Sequence, residues 1–220
     1  MTGDGHPFVF IHGSGLETDS WHFQIDHFSK RYQCITYDVR GHGQTGVLEE
    51  DYTMEAYAED LHQLLDCLGV QRFYLAGFSL GGYIALSYTL RYLETVESLV
   101  LAGTNCGITL EKVNKKSEVL AAMIRSNKGN DAAEKYLKFL EVNAVRPDLT
   151  ERISEINKPV LIIVGERDVA APSYISEEMH RRIEGSQMVV LPDCNHVCIE
   201  EQPDTFNSIV SEFLYRVESI

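Results

Sequence analysis

Six short runs rich in Val, Ile, Leu, Phe and Tyr, alternating with helical stretches, constrain this chain more than any other feature. They are Pro7–Ile11, Gln33–Tyr37, Arg72–Ala76, Glu97–Ala102, Pro159–Val164 and Gln187–Leu191. Several are nearly unbroken in their apolar character, as strands buried on both faces must be, and strands alternating with helices read as a parallel α/β sheet. The clearest helix is expected from about Met54 to Leu68, with Thr53 as its N-cap and Gly69 just past its end. Leu61, Leu64, Leu65 and Leu68 recur at helical spacing and should face the sheet. Another helix should follow Ser79, and a last one should run from about Pro203 to Val217.

One interval breaks this rhythm. More than 50 residues separate the strand ending at Ala102 from the one starting at Pro159. Amphipathic helices are expected over Leu110–Arg125 and Asp131–Val145, with a short one near Leu149–Ile156. A simple crossover needs less, so this stretch should project over one end of the sheet. The whole chain of 220 residues suits one domain, residues 1–220, around one core.

Charge narrows the partners. With 33 acidic and 19 basic residues the formal net charge is −14, so a broad grip on nucleic acid or an anionic membrane is disfavoured. No apolar run approaches the roughly 20 residues that cross a bilayer, and the first residues lack a basic start and an apolar h-region. The five cysteines are odd in number and scattered, which reads as reduced thiols in a cytoplasmic protein. Cys194, His196 and Cys198 alternate in a way that matches no common zinc pattern, so no metal is expected.

The chemistry concentrates at Gly77-Phe78-Ser79-Leu80-Gly81, a G-x-S-x-G sequence directly after a strand and directly before a helix. A sharp strand-to-helix turn there would lift a serine hydroxyl above the sheet edge, with the helix N-terminus behind it favouring negative charge. Serine needs a base to take its proton. Of eight histidines, His196 lies in the loop just past the final strand, whereas His62 and His180 fall on helical runs where solvation is expected. The base needs an acceptor in turn, and Asp168 follows the strand Pro159–Val164 directly. Glu166 and Asp193 fit the strand-end position less well. Oxyanion donors are expected from Leu80 N–H and from the loop His12-Gly13-Ser14-Gly15, with Ser14 N–H favoured over Gly15. His12 should shape that loop rather than react.

These segments together resemble the α/β-hydrolase fold: His12-Gly13-Ser14-Gly15, Asp38-Val39-Arg40-Gly41-His42-Gly43, Gly77 to Gly82, Gly165-Glu166-Arg167-Asp168 and His196. The resemblance runs nearly end to end. It implies a mostly parallel sheet of about six strands flanked by helices, a catalytic triad of Ser79, Asp168 and His196, and a helical cap at 105–157. The Asp38–Gly43 turn is structural in the family, and Trp21 reads as a packing residue of the following helix. Two departures stand out. Only six residues precede Pro7, so the β-hairpin that usually opens the fold is not expected, and a short cap is expected. A reduced cap should leave the site open.

The implied activity is carboxylic ester hydrolysis on small or promiscuous acyl esters through an acyl-enzyme, with thioesters and lactones open. A small-molecule ester is the expected partner, no cofactor is called for, and the protein should be a monomer or homodimer. Serine at the elbow argues against the relatives that use a carboxylate nucleophile. The alternatives are a carbon–carbon bond hydrolase, a cofactor-free lyase or a perhydrolase of the same fold, and a non-catalytic receptor. Lyases of the menaquinone pathway tend to carry an arginine soon after the elbow glycines, where this chain has Tyr83 and Ile84.

Overall fold

A computed structural model describes residues 1–45, 52–107 and 146–219. Its strands are β1 (His6–Ile11), β2 (Tyr32–Tyr37), β3 (Phe73–Phe78), β4 (Val96–Ala102), β5 (Val160–Gly165) and β6 (Gln187–Leu191). All six pair in parallel, in the order β2-β1-β3-β4-β5-β6. Thr2 adds one antiparallel bridge to Cys34 of β2. The helices are α1 (His22–Phe28), α2 (Met54–Cys67), α3 (Leu80–Arg91), α4 (Ser173–Arg182), α5 (Cys198–Glu201) and α6 (Pro203–Val217).

Alternation along the strands explains the layering. Val9, Ile11, Leu75, Leu99 and Ile162 join α2, α3 and Met179 of α4 in one core cluster. Their neighbours Phe8, Phe10, Ala76, Val100 and Leu161 join Trp21, Phe28 of α1 and Phe206, Val210 and Phe213 of α6 in the other. Successive side chains of a strand point to opposite faces, so a sheet covered on both sides needs apolar residues at nearly every position. Each large side chain so buried stabilises the fold by about 1.5–3 kcal/mol.

Local signals behave mostly as expected. The Thr53 hydroxyl accepts from Ala56 N–H at 3.1 Å and Gly69 takes φ +70°, closing both ends of α2. Its buried stripe is Met54, Tyr57, Ala58, Leu61 and Leu65. Leu64 is only half-buried, and Leu68, the C-cap residue just past the helix, is 37% exposed. Near Leu149–Ile156 the chain makes only a 3-10 turn, Arg152–Glu155, where a short helix was expected. Asp148 Oδ1 accepts Thr150 N–H at 2.9 Å, and that local turn competes with a helix start. Trp21 is fully buried against Phe10 and Phe206, but it closes the 3-10 turn Thr18–Trp21 rather than lying within α1. The helices expected over Leu110–Arg125 and Asp131–Val145, and most of the 105–157 cap, lie outside the described residues.

The strand order carries the functional consequence. From β1 the chain steps outward to β2, then crosses back to β3 on the other side of β1 and continues to β6. The reversal opens a crevice at the strand C-termini between β1 and β3, which is where open α/β sheets bind ligands. Ser79 stands at that point.

Candidate active site

Ser79 follows β3 with φ 53° and ψ −113°, a left-handed backbone that few non-glycine residues adopt. Its surroundings over-determine that conformation. Its N–H still donates to Ala102 O at 2.9 Å, continuing the β3–β4 ladder. Its carbonyl accepts from Gly82 and Tyr83 N–H, and from the Thr104 hydroxyl at 2.6 Å. Strain of this kind persists only where neighbours enforce it, and it clusters at functional sites. Glycine is required on both sides for space. A Cβ at Gly77 would stand 2.3 Å from Gly81 O, and one at Gly81 would stand 2.1 Å from Ile11 O. The elbow therefore touches the end of β1.

Three loops at the sheet's C-terminal edge converge on this serine. The Ser79 hydroxyl lies 3.1 Å from His196 Nε2. His196 Nδ1 lies 2.7 Å from Asp168 Oδ2. The other carboxylate oxygen of Asp168 accepts Ala170 and Ala171 N–H, both at 2.8 Å. The Asp168 side chain is fully buried, while His196 keeps 27% of its side chain exposed. With Oδ1 committed to two backbone donors, Oδ2 is free for an imidazole N–H. That fixes the tautomer with the proton on Nδ1, and Nε2 accepts from Ser79 Oγ–H. The Phe78 ring packs 5.1 Å from the imidazole.

Glu166 and Asp193, the weaker acid candidates, do not reach His196. Glu166 Oε2 instead accepts Asp193 N–H at 3.0 Å, and Arg167 pairs with the Asp193 carboxylate. Arg167 N–H also donates to Cys194 O at 2.8 Å. These bonds hold the Asp168 and His196 loops side by side. Cys194 and Cys198 turn into the core beneath, away from His196's partners. His180 is exposed and bonds Ser186, whereas His62, expected in solvent, stacks on Tyr92 at 4.0 Å.

The loop after β1 lies directly against the serine: a Cβ at Gly13 would meet Ser79 Cβ at 3.3 Å and the Phe78 ring at 2.9 Å. His12 shapes it. Its Nδ1–H donates to Gly13 O at 2.8 Å, and its Nε2 accepts Val39 N–H at 3.1 Å. Asp38 adds a second tie, accepting Thr18 N–H through Oδ1 and Gln44 N–H through Oδ2, each at 2.8 Å. Asp38, in the turn expected to be structural, supports the site together with Thr104 and the Ala170 and Ala171 amides, which no local motif marks. Leu80 opens α3 at the elbow, and Ser14 lies on the loop after β1. A cavity of about 580 Å³ opens beside the loop, lined among the described residues by Gly15, Leu16, Glu17, Asp19, His42 and Glu200 and by no lysine or arginine.

Burial lowers the His12 pKa from 6.5 to about 4, although its bond to Gly13 works the other way. Both ring nitrogens are satisfied only when the ring is neutral. The folded pKa is below the unfolded one, so the unfolded chain gains the proton first as pH falls. The His12 contribution to stability is complete above pH 6.5 and drains away towards pH 4. Between pH 7 and pH 5 the expected loss is about 2 kcal/mol. Urea unfolding of wild type and His12→Gln at the two pH values checks this; an equal loss in the variant contradicts it.

Residues 6–125 match the family model of the alpha/beta hydrolase fold, and residues 128–218 match that of TAP-like protein. The chain belongs to the α/β-hydrolase family. Among relatives, 3-oxoadipate enol-lactonase 1 of Acinetobacter baylyi is 28% identical over 96% of this chain and 89% of its own length. The 2-hydroxy-6-oxononadienedioate/2-hydroxy-6-oxononatrienedioate hydrolase of Klebsiella pneumoniae is 26% identical over 97% of this chain and 89% of its own. A malate-bound thermophilic esterase from Thermogutta terrifontis superposes with a TM-score of 0.87 at 27% identity, covering 98% of this chain and 92% of that one. The α/β-hydrolase fold expected from the motifs is the fold observed, and relatives named as an enol-lactonase and a hydrolase support a hydrolase enzyme. Among the described residues no helix is long and apolar enough to cross a membrane.

Proposed function

We propose that this hydrolase cleaves carboxylic esters, of small or varied acyl groups, through an acyl-enzyme. The observation that carries the reading is the line Ser79 Oγ, His196 Nε2, His196 Nδ1, Asp168 Oδ2, with links of 3.1 and 2.7 Å, on a serine held at φ 53°. Ser79 Oγ attacks the acyl carbonyl while His196 Nε2 takes its proton. Asp168 keeps the imidazole in the required tautomer and stabilises the imidazolium. The Leu80 and Ser14 N–H groups stabilise the tetrahedral oxyanion, and His196 then protonates the departing alkoxide. A water deprotonated by His196 attacks the acyl-enzyme, and Ser79 recovers its proton as the acid leaves. No cofactor enters these steps.

Two relatives define the breadth of the test. One is named for an enol-lactone, so cyclic esters belong in the panel. Another is named for a 2-hydroxy-6-oxo diacid, which supports a second reading in which the same groups hydrolyse such an acid. The net charge of −14, with Glu17, Asp19 and Glu200 in the cavity beside the loop after β1, mildly disfavours polyanionic substrates. The experiment is turnover of p-nitrophenyl esters from acetate to dodecanoate, with a simple lactone and a 2-hydroxy-6-oxo dienoic acid alongside. Ester turnover, fastest on the short acyl chains, is the expected result. Consumption of the dienoic acid without any ester turnover selects the second reading.

A further inference from the structure

His196 is carried by a loop that has its own internal fastening, and that fastening converges on one side chain. The loop runs from the end of β6 through Asp193, which takes φ +56°, to the short α5. Glu201, the last residue of α5, turns its carboxylate back over the loop. Its Oε2 accepts Asn195 N–H and Asn195 Nδ2–H, both at 2.9 Å, and its Oε1 accepts Val197 N–H at 3.2 Å. The two backbone amides are those on either side of His196. The carboxylate thus anchors the peptide that follows His196 and, one residue upstream, the Cys194–Asn195 peptide, so it grips the chain on both sides of the imidazole.

The carboxylate is itself held in place. Glu200 and Glu201 N–H both donate to Val197 O, at 3.0 and 2.9 Å, so α5 begins where the clamped segment ends. Gln202 Nε2 donates to Pro192 O at 2.8 Å and closes the loop at its far end. The bond from Arg167 N–H to Cys194 O adds a second hold on the Cys194–Asn195 peptide, and that from Asp193 N–H to Glu166 grips the loop upstream. Neither touches the peptide that follows His196, which Glu201 holds through Val197 N–H. Partial desolvation works to raise the Glu201 pKa, and the bonds from Asn195 and Val197 outweigh it and hold the carboxyl ionised below its ordinary range. Glu201 is exposed, so it adds little to the core.

We infer that Glu201 is a positioning residue for His196, acting through the Asn195 and Val197 amides to keep the imidazole aligned with both Ser79 and Asp168. The inference rests on the catalytic reading above for its kinetic consequence, but not for its geometric one. An isosteric amide cannot reproduce the clamp. One oxygen remains to accept, while the NH2 group faces a backbone N–H and repels it. A shift of the imidazole by a fraction of an ångström then lengthens two short bonds at once.

The test compares wild type, Glu201→Gln, Glu201→Ala and Asn195→Ala. In p-nitrophenyl acetate turnover, the two Glu201 variants are expected to lose about 10- to 100-fold in kcat with KM within about twofold. Asn195→Ala keeps both backbone bonds and should lose no more than about threefold. Thermal unfolding within a few degrees of wild type shows that each variant folds. The second readout needs no turnover: the downfield proton NMR resonance of His196 Nδ1–H, bonded to Asp168, should be sharp in wild type and broadened or lost in Glu201→Gln. If wild type hydrolyses no ester but the resonance behaves in this way, the ester reading fails and the positioning role stands. An unchanged kcat together with an unchanged resonance in both Glu201 variants overturns the inference.

Discussion

Asp168→Asn is expected to lower kcat by about 10,000-fold while leaving KM and the fold nearly unchanged. The direction follows from where the donors point. One carboxylate oxygen of Asp168 accepts the Ala170 and Ala171 amides, so an asparagine oxygen must take that side. Its NH2 group is then forced toward His196, where Oδ2 stood 2.7 Å from Nδ1. Two donors cannot share that bond, so the imidazole adopts the other tautomer, with its proton on Nε2. That nitrogen now presents a proton to the Ser79 hydroxyl and can no longer take one. The substitution changes almost no volume, so the loss reports tautomer rather than packing. Steady-state kinetics with thermal unfolding checks it, and a loss of less than about tenfold would show that Asp168 does not orient the base.

Ser79→Ala carries the largest expected effect, about a million-fold in kcat. A residual acceleration of roughly a thousandfold over water should survive, because the amides around the oxyanion position and the binding cleft remain. The backbone has reasons of its own to keep its shape: the Ser79 N–H and carbonyl are held by Ala102, Gly82, Tyr83 and Thr104, none of them through the hydroxyl. The variant should therefore fold like wild type. Turnover at the wild-type rate would remove Ser79 from the chemistry altogether.

Much of this was legible because chemistry and fold share the same sequence signals. The runs that read as strands are strands to within a residue or two, since a sheet covered on both faces leaves them no polar face to show. Ser79, Asp168 and His196 were legible because each follows a strand at the edge where the sheet presents ligands. What the sequence hid are contacts made across the chain. Thr104 reaches Ser79 O over 25 residues with no periodic or turn pattern to mark it, and the Asp38–Gly43 turn, though legible, does not say that Asp38 reaches Thr18 over 20. Helical spacing puts Leu64 and Leu68 on the sheet-facing side of α2, yet it says only which residues share a side and not where the helix ends: Leu68 is already the C-cap. Arg152–Glu155 coils into one 3-10 turn because a local Asp148–Thr150 bond outcompetes a weak helical pattern. The openness expected from a short cap falls on residues outside those described.

The central claim is that Ser79 becomes covalently acylated. The direct measurement is rapid mixing with p-nitrophenyl acetate, followed by acid quenching and intact and peptide mass analysis. The account predicts a burst of p-nitrophenolate stoichiometric with enzyme and one acetyl group on the peptide holding Gly77 to Gly82, both absent in Ser79→Ala. Turnover without an adduct at any acyl length, or an adduct on another residue, would contradict it.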